Sequence, residues 1–171
     1  DFELFTAGDL NGAPFPGDGK DYATHTARFF GKNGSTYTNV EGWMVKHWEE
    51  TGRESDVEIY RVNHHGSRNS SIQPLVEALD PEVMIYSCGG MYGHPDPEVV
   101  KRTAPGALQL VTHSASEKSW PDGFPEELGQ IVGETQIRVS ADGKTYWLNG
   151  RTMSSWSDEA EARDEDIRPE P

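Results

Sequence analysis

The 171 residues include Gly 18 and Pro 11, both above average usage, and only 34% are hydrophobic, so the chain can bury one lean core among many loops. A formal net charge of -14 speaks against a general nucleic-acid-binding surface, because a phosphate backbone would be repelled. No apolar run approaches a membrane span and no charged-then-apolar signal segment opens the chain, so it reads as soluble, cytoplasmic in preference to secreted.

Taken in order, residues 2 to 6 are expected to form a strand, with Gly8 turning the backbone and Asp9 at the strand mouth. By itself Asp9 reads equally as a turn residue or a helix cap. Residues 11 to 38 are rich in Gly, Pro, Asn, Asp and Ser/Thr and predict a long loop, a rim or lid near Asp9. Asn39 can cap a helix running to about Glu50, with Val40, Trp43, Met44 and His47 at helical spacing and Gly52 as the stop. On that stripe His47 reads as a packed or boundary residue, not a ligand.

Val57-Glu58-Ile59-Tyr60-Arg61-Val62 is rich in β-branched and aromatic residues and predicts a buried strand ended by Gly66. His64 and His65 then lie at a strand's C-terminal mouth, where α/β folds gather their chemistry. An adjacent histidine pair alone opens a surface loop as readily as it binds metal. Ser70 or Ser71 is expected to open a second helix, with Pro74 in its first turn and Leu75, Val76 and Leu79 facing inward, before Asp80-Pro81 closes it.

A strand over 82 to 87 comes next, followed by the lone cysteine, Cys88, which excludes an internal disulfide and is assigned to core packing. Beyond the Gly89-Gly90 turn and Tyr92-Gly93-His94-Pro95, a helix is expected at about 98 to 103 and a strand at 107 to 112. Residues 113 to 130 predict an irregular insertion, and the runs 135 to 139 and 145 to 148 a hairpin around Asp142-Gly143. The body is assigned to residues 1 to 150 and a disordered acidic tail to 151 to 171. From Asp158 the tail carries seven acids against two arginines, a net of −5 that leaves −9 for the rest.

Three segments in order, the strand ending in Gly8-Asp9, then His64-His65-Gly66-Ser67, then Tyr92-Gly93-His94-Pro95, resemble the C-terminal half of a metallo-β-lactamase-fold hydrolase of the ComEC-type competence-protein branch. The resemblance covers about residues 1 to 112. It implies an α/β fold, the C-terminal half of an αββα sandwich, here with a terminal hairpin. It also implies hydrolysis at a two-metal centre, usually zinc and with manganese possible, acting on a phosphoester or carbonyl group. Asp9 matches the bridging aspartate, and His65 best matches the last histidine ligand. His64 matches a substrate contact or an alternative ligand, and His94 the loop histidine that stabilises charge on a substrate oxygen or assists the leaving group. Asp9, His64 and His94 are thus the expected catalytic residues, Asp9 and His65 the metal ligands, and Ser67, Asn69 and His94 the substrate contacts.

The family's His-x-His-x-Asp-His cluster is absent: no His-x-His occurs, and His25 has neither the partner nor the spacing. The expectation is therefore a fragment, inactive alone, of a hydrolase acting on a small phosphoester or on nucleic acid, with the acidic balance favouring the former. A non-catalytic binding module that has lost its metal site is the alternative. An unrelated α/β protein with chance histidines is the third reading.

Overall fold

The computed structural model describes residues 2–12, 28–30, 36–89, 93–102, 106–112, 129–131, 134–148 and 151–154. The fold is mixed α/β. Its centre is a five-stranded parallel sheet in the order β1 (Leu4–Thr6), β4 (Ile59–Arg61), β5 (Val83–Tyr86), β6 (Leu108–Val111) and β7 (Gly129–Ile131). The other strands are the antiparallel pair β2 (Arg28–Phe30) and β3 (Thr36–Thr38), and an antiparallel sheet of β8 (Ile137–Val139), β9 (Thr145–Leu148) and β10 (Arg151–Ser154).

Side chains alternate across a strand, and here both faces are covered, which is why β5 reads Val-Met-Ile-Tyr with every residue buried. Tyr60, Met84, Tyr86 and Val111 face α1 (Val40–Thr51), α2 (Gln73–Leu79) and α3 (Pro97–Val100), through Val45, Leu75, Val76, Leu79, Val99 and Val100. Ile59, Val83, Ile85 and Leu110 pack against Tyr146 and Leu148 of β9. The helices thus lie on one face and the antiparallel sheet on the other. No helix among the described residues is long and apolar enough to cross a membrane.

The helix signals hold in part. Asn39 caps α1, its Oδ1 accepting from the Gly42 N–H at 3.0 Å, and Gly52 ends the helix in the left-handed conformation. The inward face of α1 differs from the expected stripe: Glu41, Gly42 and Val45 are buried, whereas Trp43 is 42% exposed and His47 stacks on it outside. The cause is a polar requirement. The Glu41 carboxylate accepts from Asn63 Nδ2 at 2.8 Å, from Ser71 N at 2.8 Å and from Ile72 N at 2.9 Å.

This also displaces the expected serine cap of α2. Ile72 stands at the cap position without a side-chain bond, while Ser70 Oγ donates to the Asn63 and Ser67 carbonyls and Ser71 Oγ pairs with the Tyr60 hydroxyl. Three further expectations are corrected. β2 and β3 fall inside the predicted loop 11 to 38, β7 starts at the end of the predicted insertion 113 to 130 and runs to Ile131, and β10 extends pairing to Ser154 within the segment assigned to the tail. Strands of three or four residues lack a periodic signal of their own and are recruited by a neighbour's open edge. Apart from residues 11 and 12, the remainder of those three segments lies outside the described residues.

Burial raises the pKa of Glu41, opposed by its Asn63, Ile72 and Ser71 hydrogen bonds and by the charge of Arg102. All three hydrogen-bond partners are donors, so Glu41→Ala strands buried N–H groups and Glu41→Gln turns an NH₂ against them. Urea unfolding is expected to show a loss of roughly 2–4 kcal/mol for Glu41→Ala and a smaller loss for Glu41→Gln. A loss below about 0.5 kcal/mol in both would remove Glu41 as an anchor.

Candidate functional site

β1, β4 and β5 run parallel, so their C-terminal ends open on one edge, and the segments that follow them carry Asp9, His64-His65 and Ser87. The chain crosses that edge as a short 3-10 turn, Asn63–Gly66, in which His64 and His65 take φ of 48° and 57°. Two successive non-glycine residues in the left-handed region cost on the order of 1–2 kcal/mol each, and such strain gathers at functional sites.

The turn is held from several sides. The His64 N–H donates to the Gly8 carbonyl at 2.8 Å, and the Asp96 N–H to the Gly66 carbonyl at 2.8 Å. Gly66, at φ 78°, lies so close to Pro95 that an added Cβ would stand 2.7 Å from the Pro95 Cβ. Arg68 grips Asp96 through Nε at 2.9 Å and a terminal nitrogen at 2.7 Å, and Asp96 also caps α3. The loop bearing His94 and the turn bearing His64 and His65 are therefore fastened together.

The expected convergence of Asp9 with the histidine pair is present, with Asp9 Oδ1 3.6 Å from His65 Nε2 and both side chains exposed. The tautomer follows from the other side of the ring. His65 Nδ1 lies 2.6 Å from the Ser87 carbonyl, which can only accept, so Nδ1 carries a proton and Nε2 is the nitrogen turned toward the Asp9 carboxylate. With Nε2 protonated the two groups form an ion pair; with Nε2 deprotonated they can share a cation, and ligand bonds of about 2.0–2.2 Å to one ion span this gap.

His64 is set in the same manner. Its Nδ1 lies 3.1 Å from Asn11 Oδ1, and the other end of that amide donates to the Asp9 carbonyl at 3.5 Å, leaving His64 Nε2 unengaged by these bonds. The two rings stand 6.4 Å apart. His94 is half-buried; burial pushes its imidazole below the ordinary 6.5, the charges of His64 and His65 push the same way, and Asp96 opposes them. Ser67 is buried, only 9% exposed, its N–H donating to the His64 carbonyl, and the carbonyl of half-buried Asn69 accepts from Gly12 N at 3.0 Å. These two therefore shape the turn, and little of Ser67 is open to a substrate.

Among the described residues no group of three His, Cys, Asp or Glu side chains converges to hold a metal; Asp9 and His65 are two such groups, where a catalytic zinc commonly takes three. Cys88 is half-buried, packed against the core beneath this edge as expected. Sequence reasoning missed Asn11, Ser87, Glu41 and the Arg68–Asp96 pair. None carries a local signature, because each acts on a residue at least 22 positions away. No family model, curated protein or solved structure matches this chain.

The electrostatics are testable. With a folded value below the unfolded 6.5, His94 contributes stability that is present above pH 6.5 and lost as the pH falls through its folded value. Titration of the histidine ring protons by NMR is expected to give His94 a midpoint below 6.5. In the His64→Ala/His65→Ala double variant it should move upward yet stay depressed, since burial is the largest cause. A His94 midpoint above 6.5 in the unaltered protein would contradict this account.

Proposed function

We propose that this chain is part of a metal-dependent hydrolase of metallo-β-lactamase type acting on phosphoester bonds, with Asp9 and His65 as metal ligands. The observation that carries the reading is the Asp9–His65 pair, a carboxylate oxygen and an imidazole nitrogen 3.6 Å apart with the far side of the imidazole anchored on a backbone carbonyl. Carbonyl-anchored histidines are the usual form of a metal-ligating imidazole, because the second bond fixes both tautomer and ring direction. Asp9 and His65 would hold a divalent ion, zinc with manganese as the alternative, which when bound would lower the pKa of a water and polarise a substrate oxygen. The remaining ligands come from outside the described residues.

The chain's own groups divide the other tasks. Asp9 provides the negative charge that selects a cation, and His65 the directed lone pair. His64, aimed by Asn11, offers Nε2 to a substrate oxygen or to the ion. His94, neutral at pH 7 because its pKa is lowered, hydrogen-bonds a substrate oxygen or receives a proton, and it is not preloaded as a cationic acid. With a net charge of -14 the chain repels polyanions, so a small phosphoester is favoured over nucleic acid as substrate.

Equilibrium dialysis against zinc with elemental analysis tests the ligand assignment. The protein is expected to take up zinc weakly, as two exposed ligands dictate, Asp9→Ala and His65→Ala to lose that uptake, and His94→Ala to retain it. Zinc content equal in Asp9→Ala and the unaltered protein would defeat the metal reading and favour a non-catalytic binding module. Equal loss in His94→Ala would make His94 a ligand.

A further inference from the structure

β4 ends on Arg61, which alternation places on the face of Ile59, away from the helices, and which is exposed at the mouth of the sheet. Its guanidinium is held by hydroxyls from the strands on either side. Nε donates to Ser87 Oγ at 3.0 Å and a terminal nitrogen to Thr6 Oγ1 at 3.4 Å. Neither partner is charged, so the group is aimed without being neutralised, and among the described residues no carboxylate pairs with it.

The contrast with neighbouring arginines is informative. Arg68 is paired with Asp96, and Arg102 spends its donors on the carbonyls of Arg68, Ser70 and Ser71. Arg61 uses two of its five N–H groups, and the rest remain for something outside the described residues. Ser87 places it: the same residue holds Arg61 through its hydroxyl and His65 through its carbonyl, while Thr6 precedes Asp9 by three positions. The guanidinium therefore shares the sheet edge and the Ser87 anchor with His65, on the strand end that leads to Asp9.

We infer that Arg61 is the anion-binding residue of this site, taking the non-bridging oxygens of a small phosphate group through its unengaged N–H donors. A planar guanidinium matches two phosphate oxygens at once, which a lysine cannot reproduce. In a strongly acidic chain such a fixed positive group is what admits an anionic substrate to the cation-selecting pair. The inference rests on the hydrolase reading for its choice of substrate, yet phosphate binding by Arg61 can be measured with no metal present.

Inorganic phosphate titrated into the metal-free protein, followed by ¹⁵N-edited NMR of the arginine Nε–H groups, tests it. Arg61 Nε–H is expected to shift and saturate in the millimolar range. Arg61→Gln should weaken phosphate binding about tenfold with an unchanged far-UV spectrum, and Arg61→Lys should fall between the two. Zinc uptake, measured separately without phosphate, should be the same in Arg61→Gln as in the unaltered protein. Equal phosphate affinity in Arg61→Gln and the unaltered protein, or no shift of Arg61 Nε–H on saturation, overturns the inference. Failure of the unaltered protein to take up zinc would defeat the metal reading and leave the Arg61 result standing.

Discussion

The buried carboxylate of Glu41 is the constraint on which the site depends. Removing a carboxylate from water costs several kcal/mol unless donors replace the lost hydration, and here three N–H groups do so, from Asn63, Ser71 and Ile72. Those donors belong to the turn before His64 and to the start of α2, so one side chain on α1 ties together the helix, the histidine turn and the next helix. The chain also passes over it at Gly12, where a Cβ would run into the Glu41 carboxylate and Ile72. Gly12 lies three residues beyond Asp9 and next to Asn11, so the path that delivers the acid and the His64 partner is fixed by the same group.

A second fastening works from the opposite side. Arg102 reaches the carbonyls of Arg68, Ser70 and Ser71, Arg68 grips Asp96, and Asp96 both caps α3 and donates its N–H to Gly66. These bonds supply the over-determination that a strained turn requires, and they explain how His64 and His65 are kept at positive φ. The apolar layers beneath provide the cohesion; the polar fastenings decide where the imidazoles point.

The site is assembled from exposed functional groups on a rigid backing. Asp9 and His65 are open to solvent, whereas Asn63 and Ser70 behind them are buried. Exposure suits groups that must meet an ion and a substrate. The backing removes the rotational freedom that an exposed histidine would otherwise have to give up on binding.

The sequence by itself determined the strand at Ile59–Arg61, the Asn39 cap and Gly52 stop of α1, the Asp142-Gly143 hairpin turn, and the placing of Asp9 and the histidine pair at strand ends, because each follows from neighbours within a few residues. The pairing of β10 with β9 was not read from the sequence, which assigned residues 151 to 171 to a tail. Only the tertiary structure decided that α1 turns Glu41 inward in place of Trp43, that β7 joins the parallel sheet, that Ser87 and Asn11 hold the rings of His65 and His64, and that Arg61 shares the Ser87 anchor with no carboxylate partner among the described residues. A hydrogen bond between residues 22 or 53 positions apart leaves no periodicity and no local composition behind. It exists only once the sheet has brought its strand ends to one edge.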